Sequence, residues 1–267
     1  MDEKRLFFGV EAHAPWPETY PKGRVLEESH RHMTLAFLGN VDFTKISDVI
    51  PELPLPSWKI GLAAMFDKPL FLPKHSRQPR VIAWHVAWLT SGQPLLDYQL
   101  QMTDFLIKQE YHLDKRPFLP HVTIARAPFY VTDWKKHFVS IPCFFSDIHL
   151  YESKGGLRYE PIWSAKVASP FDEIEHTADI AFIVRGENLA QLYTNALLAL
   201  AFRFPLLINY FFEASNLISL NDIVKLLNES VLKADSDLGC PFKAISYHGD
   251  LKQSPAGYYE WEMIVDV

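Results

Sequence analysis

The triplet His-x-Thr occurs twice in this chain, as His32-Met33-Thr34 and His121-Val122-Thr123. Each copy lies inside a run that alternates apolar and polar residues, HMTLAFL over 32–38 and HVTIA over 121–125. In a strand, residues two apart project from one face. The first run therefore predicts Met33, Leu35 and Phe37 on one side and His32, Thr34 and Ala36 on the other. The second sets Val122 and Ile124 opposite His121 and Thr123. With 11 histidines in 267 residues, and 9 threonines, chance gives roughly 0.4 such triplets. Two strands with ordinary exposed polar faces are the plain alternative to a site built from both.

The surrounding pattern is that of a mixed α/β chain. RLFFGVE (5–11) reads as a strand, and Asp42 as the N-cap of a helix through Ile46 and Val49. Strands are predicted over 58–66 and 81–89, and a helix over 93–110 through Leu96, Leu100, Phe105 and Leu106. PELPLP (51–56) reads as a loop. Residues 148–153, the Lys154-Gly155-Gly156 turn and 157–165 form a strand, turn, strand signal.

Histidine at an ordinary pKa near 6.5 supplies both a proton donor and an acceptor near neutrality. Two of them across one phosphate could deprotonate water and protonate a departing ribose oxygen, each contributing typically 10²–10⁴-fold. Threonine hydroxyls can donate to nonbridging oxygens, and Arg126 offers a planar fork matched to phosphate. His30, His75, His85, His112, His137 and His149 have no distinguishing spacing and read as packed or solvated. Tyr151, Trp84 and Phe118 could stack a base, although core positions suit them better.

HRHMTLAFLG, RPFLPHVTIAR and DIHLYESKGGLRYEP, with the RLFF start, resemble the two-histidine (2H) phosphoesterases, specifically the LigT-like RNA 2′,3′-cyclic phosphodiesterases. The resemblance spans about 5–167. It implies an α+β fold of two pseudo-symmetric lobes, each giving one His-x-Thr strand to a central cleft. It further implies that His32 protonates the leaving oxygen, His121 activates water, and Thr34, Thr123 and Arg126 hold the phosphate. No cofactor is implied for that reaction, and the product end is a 2′-phosphate. PWPETYPKGRVLEE, which precedes His32, is shorter and more proline-broken than the helix usual there.

Charge divides the chain at Ser169. Residues 1–169 carry 20 Lys and Arg against 18 Asp and Glu, whereas 170–267 carry 6 against 14. Nine of the eleven histidines lie in the first part. This asymmetry predicts two units with different partners, 1–169 and 170–267. The acidic part suits a protein or a cation better than RNA, whose phosphates need Lys and Arg. It predicts a strand over 180–184, helices from about 188 and over 219–233, and strands over 242–248 and 258–267: a second, smaller α+β unit. NALLALAFRFPLLINYFF (195–212) has the length of a membrane span, but Arg203 alone would cost roughly 2.5–3.5 kcal/mol at a bilayer centre. It is expected to be a buried helix, with an apolar content that could also serve a dimer.

HTAD, KAISYH and the terminal MIVDV resemble archease, a protein that activates RtcB-type tRNA ligases. The resemblance implies a divalent cation (Ca or Mg) held by Asp179, Asp266 and Val267. Here the second helix runs almost directly into KAISYH, which shortens the unit. With Cys143 and Cys240 alone, no disulfide framework and no zinc spacing are expected. A cytoplasmic, non-membrane setting follows. The reading that results is a metal-independent phosphodiesterase acting on RNA 3′ ends with cyclic phosphate, joined to an archease-like module. The alternatives are a non-enzymatic RNA-end-binding ligase cofactor, or an enzyme for 2′–5′ oligonucleotides or small cyclic nucleotides.

Overall fold

The computed structural model describes residues 2–74, 76–90, 92–114, 116–177, 179–212, 217–246 and 250–267. His75, Ala178 of the HTAD segment, and Tyr247 and His248 of KAISYH lie outside them.

Two sheets divide the described chain. The first holds β1 (Glu3–His13), β2 (Arg24–Val25), β3 (His32–Asp42), β4 (Leu62–Leu72), β5 (Val81–Trp88), β6 (His121–Arg126), β7 (Ile141–Gly155) and β8 (Arg158–Ala165). Their order is β2-β6-β5-β4-β7-β1-β3, with β8 also on β7. Every named pairing in this sheet is antiparallel. Four strands separate β3 from β6 in this order, yet the two strands meet, so the sheet curls back on itself. That curl brings the two His-x-Thr strands together. It wraps a core that includes Leu6, Phe8, Met33, Trp84, Val122, Ile124 and Phe145. Three helices cover it: α1 (Phe43–Val49), α2 (Pro94–Lys108) and α3 (Val131–His137). Asp42 caps α1 by accepting from the Thr44 amide at 3.0 Å, as its side chain predicts.

The second sheet is smaller. It contains β9 (Phe171–Ile174), β10 (Ile180–Gly186), β11 (Ala244–Ser246), β12 (Lys252–Gln253) and β13 (Tyr259–Asp266). The order is β11-β13-β10-β9, with β12 also on β13. Helices α4 (Leu189–Arg203) and α5 (Leu220–Leu238) pack with it around Phe182, Leu192, Leu227, Trp261 and Met263. Asn188 caps α4, and Ser219 with Asp222 forms a capping box on α5. Gly186 is required where β10 turns into α4: a Cβ there would lie 2.4 Å from the Leu192 amide nitrogen.

The sheets share an apolar seam. Leu198 of α4 packs with Ala63 and Phe144 of β4 and β7, and Phe202 and Phe171 close on the Phe144 ring at 5.4 and 5.8 Å. The seam covers the outer face of β7 at Phe144, and farther along Tyr151 is buried against the Phe7 and His32 rings. Within 197–212, Leu197 to Ala201, Leu207 and Ile208 are buried, as expected, whereas Leu206 is 37% exposed. Among the described residues, no helix is long and apolar enough to cross a membrane.

Two expectations change. Phe37 is 42% exposed rather than core. Register shifts in β1–β3 pair Gly9 with Thr34 but Phe7 with Phe37, so the alternation is broken and Phe37 turns outward under Arg5. The strand expected over 58–66 begins only at Leu62, because Trp58 is a core plug whose ring meets Tyr98 edge-on at 5.4 Å. Trp84 and Tyr151 are buried, in the core positions that suit them better than base stacking.

Candidate functional site

His32 opens β3 and His121 opens β6, each at the point where an irregular segment enters its strand. The two rings are anchored alike. His32 Nδ1 donates to the His30 carbonyl at 2.8 Å, and His121 Nδ1 donates to the Leu119 carbonyl at 2.7 Å. A carbonyl only accepts, so the proton on each neutral ring sits on Nδ1 and leaves the Nε2 lone pair free. The repeat is therefore a repeat of local geometry as well as of residue type.

His32 is only 8% exposed. It lies among Phe7, Tyr151 and Tyr159, whose ring centroids are 4.7, 5.1 and 4.9 Å from its own. Gly9 makes room for it, since a Cβ there would fall 3.0 Å from the Met33 carbonyl and 3.4 Å from His32 Cδ2. Burial is the main cause that lowers the His32 pKa to about 4, with the charges of His121, His30 and Arg126 adding to it and the His30 carbonyl opposing. That coupling brings His32, His121 and Arg126 into one electrostatic neighbourhood.

His121 is also lowered, first by burial and then by the charge of His85. His85 stands directly opposite His121 in the β5–β6 register and donates Nδ1 to Asp67 Oδ1 at 2.6 Å. The sequence reading passed over this Asp67–His85 pair: eighteen residues separate its members, and only the β4–β5 hairpin with its register shift unites them.

Thr34 and Thr123 lie two residues beyond the histidines, both half-buried, opposite Gly9 and Ala83 respectively. Arg126 ends β6 opposite Val81 and Arg24. Its Nε is buried and has no hydrogen-bond partner among the described residues. A guanidinium with an unused buried donor, whose charge is felt by the His32 ring, is an environment that favours an anion.

At the far sheet, Asp179 immediately precedes β10 and Asp266 ends β13, whose register pairs Ile180 with Val265. Both aspartates thus stand at the same end of neighbouring strands. Lys243 already serves that end: its Nζ donates to the Val267 carbonyl at 2.5 Å and lies 3.9 Å from Asp266. Asp179 is 3.8 Å from His176.

A different group of metal-ligating types, not anticipated from the sequence, is Glu11, Asp147 and His149, whose candidate ligand atoms all lie within 4.8 Å of one another. They could coordinate a metal. A cavity of about 740 Å³ lies elsewhere, between Trp58, Leu62 and Leu89 on one side and Glu187, Gln191 and Thr194 on the other. The Glu187 carboxylate and the Gln191 side chain there already accept from backbone amides.

No family model matches the chain, and no curated protein matches it. Among solved structures it is similar to one described as a phosphoesterase, at 22% identity over 62% of this chain and 99% of that one, with a TM-score of 0.45. It is similar to E. coli LigT complexed with 3′-AMP at 20% identity over 62% and 99%, with a TM-score of 0.43. It is also similar to TT0787 of Thermus thermophilus at 16% identity over 62% and 98%, with a TM-score of 0.46.

Proposed function

We propose that the curled first sheet, within 1–169, is a phosphodiesterase that opens RNA-terminal 2′,3′-cyclic phosphate by two-histidine acid–base catalysis. The observation that carries this is the matched pair of Nδ1 anchors, which leave both Nε2 atoms free to take or give a proton. In this reaction, His121 Nε2 takes a proton from water as the water oxygen bonds to phosphorus. The P–O3′ bond breaks, His32 gives a proton to O3′, and a 2′-phosphate remains. Thr34 and Thr123 hydroxyls and Arg126 would hold the nonbridging oxygens.

The low pKa of His32 sets a condition on its role. In the free chain near pH 7 it is neutral. It becomes an acid only when the anionic phosphate, placed between it and Arg126, draws a proton onto it.

The acidic unit, 170–267, would then serve the same RNA-end chemistry as an archease-like module toward an RtcB-type ligase. A divalent cation at Asp179, Asp266 and Val267 would have to displace the Lys243 ammonium.

The test is an end-group assay with excess EDTA, using a 5′-labelled oligoribonucleotide that ends in 2′,3′-cyclic phosphate. The expected product is a 2′-phosphate end, abolished by His32→Ala and by His121→Ala. Binding without turnover would replace the enzyme by an RNA-end-binding protein. Faster turnover of a mononucleoside cyclic phosphate or a 2′–5′ linkage would change the substrate and keep the mechanism.

A further inference from the structure

His32 and His121 stand on strands with four others between them in the sheet order, so their separation depends on how the curled sheet is held. The segment that joins β1 to β3 is fastened to both sides. Its middle adds β2 to the edge of β6, with Arg24 opposite Arg126 and Val25 opposite Ala125, and the Leu26 amide donates to the Ile124 carbonyl at 2.8 Å. Tyr20 stacks on Trp134 of α3 at 5.8 Å, and Trp134 Nε1 donates to the Lys22 carbonyl at 3.1 Å. The Trp16 ring lies 5.4 Å from Phe66 of β4 and 5.9 Å from Trp84 of β5. Residues 16–26 therefore belong to the half of the sheet that carries His121. The end of the segment belongs to the other half. There the Ala12 amide of β1 donates to the Arg31 carbonyl at 3.2 Å, and the His30 carbonyl accepts from His32 Nδ1.

One side chain joins the two anchorages. Arg31 Nε and Nη2 both donate to the Leu26 carbonyl, at 3.2 and 3.0 Å. Its guanidinium carbon lies over the Trp16 ring at 4.3 Å and the Tyr20 ring at 5.1 Å. Leu26 thus donates to one His-x-Thr strand and accepts from the residue that introduces the other. We propose that Arg31 is a positioning residue, a strut that fixes the separation of His32 and His121 by tying the entry of β3 to the segment paired with β6.

Packing alone does not call for an arginine at this place. Arg31 is 2% exposed, its Nη1 has no hydrogen-bond partner among the described residues, and the Glu28 carboxylate stands off at 3.8 Å. A buried charge is costly unless it is paired and hydrogen-bonded, and an unbranched apolar side chain would fill the same space without that cost. What the guanidinium adds is a planar fork that bonds a carbonyl at its edge while it lies over aromatic rings. The charges that lower the His32 pKa are those of His121, His30 and Arg126. Arg31 therefore acts on His32 through placement.

The catalytic consequence rests on the phosphodiesterase reading, whereas the strut does not, so each has its own measurement. Arg31→Met keeps an unbranched, apolar side chain and loses the fork, and thermal melts establish that the variant folds. On an oligoribonucleotide ending in 2′,3′-cyclic phosphate, kcat should fall about a hundredfold, the scale of a misplacement of about 1 Å, with KM little changed. A variant that keeps the wild-type kcat, or whose loss is confined to KM, overturns the proposal.

Amide hydrogen exchange needs no substrate. In Arg31→Met the Leu26 amide should exchange about tenfold faster or more, while the amides of β1 stay as in the wild type. Unchanged exchange at Leu26, or an equal acceleration throughout the sheet, overturns the strut. In the wild-type chain, which needs no substitution, the Arg31 Nε–H should be protected and should open in the same event as the Leu26 amide. A freely exchanging Nε–H overturns the proposal even if the variant does not fold. A wild-type chain that turns over no cyclic phosphate sinks the phosphodiesterase reading, and the exchange measurements then decide the strut by themselves.

Discussion

Replacing His32 by glutamine tests the electrostatic account of the candidate site without reference to any substrate. In the native chain the His32 pKa is lowered from the ordinary 6.5 to about 4, chiefly by burial. Between those values the unfolded chain binds a proton that the native chain refuses. The sign follows from linkage: stability is undiminished above pH 6.5 and falls as the pH drops, until both states are protonated below about pH 4. At 1.36 kcal/mol per pKa unit, the loss across that window is about 3 kcal/mol. His32→Gln carries no such proton. Its stability should differ from the wild type by a constant at neutral pH, and the two should converge or cross as the pH falls. Urea unfolding at a series of pH values between about 7.5 and 4.5 reads the difference. The His32 ring resonance, titrated by NMR, reads the pKa directly. A ring that titrates at 6.5 or above, or wild-type and variant stabilities that stay parallel down to pH 4.5, would refute the claim that His32 is held neutral by burial.

The remaining predictions concern the supports of the site. His85→Gln takes away the partner of Asp67 whose charge lowers His121. The acidic limb of the pH dependence of kcat/KM should move to higher pH, and an unmoved limb would show that the pair does not act on His121. Gly9→Ala would press a methyl against the Met33 carbonyl, Tyr151 and His32. It should cost about 1–3 kcal/mol in chemical denaturation, with activity falling alongside. Leu198→Ala leaves a hole between Ala63 and Phe144 and should cost about 2–5 kcal/mol by the same measurement. A change below 1 kcal/mol would mean that the seam is plastic.

What the sequence made legible was local. Alternation sufficed to place His32 and His121 at the heads of strands, side-chain capping chemistry located the start of α1 at Asp42, and apolar periodicity that of α4 near Asn188. The end of α5 was less legible. Periodicity suggested 233, but the helix runs to Leu238 and stops where Gly239 takes a positive φ of 73°. Bulges were invisible, because a register shift belongs to two strands at once. That is why Phe37 was misplaced, and why the convergence of Glu11 with His149 could not be foreseen across 138 residues. The Asp67–His85 contact was hidden for the same reason. The reach of Arg126 toward His32 depends on the curl of the sheet, which no spacing in the chain encodes.

The apolar seam at Leu198 bears on how this chain can be divided and inherited. A cut after Ser169 respects the change of sheet and the change of charge, yet it would strip α4 from Phe144 and Ala63. The basic half would then present bare aromatic and aliphatic surface to solvent, a surface prone to self-association. Its counterpart would be left with Leu198 and Phe202 uncovered. Neither half is therefore a module that can be exchanged freely between proteins. Any recombination that separates them has to supply a new cover for the back of β7, so the two halves are expected to travel together.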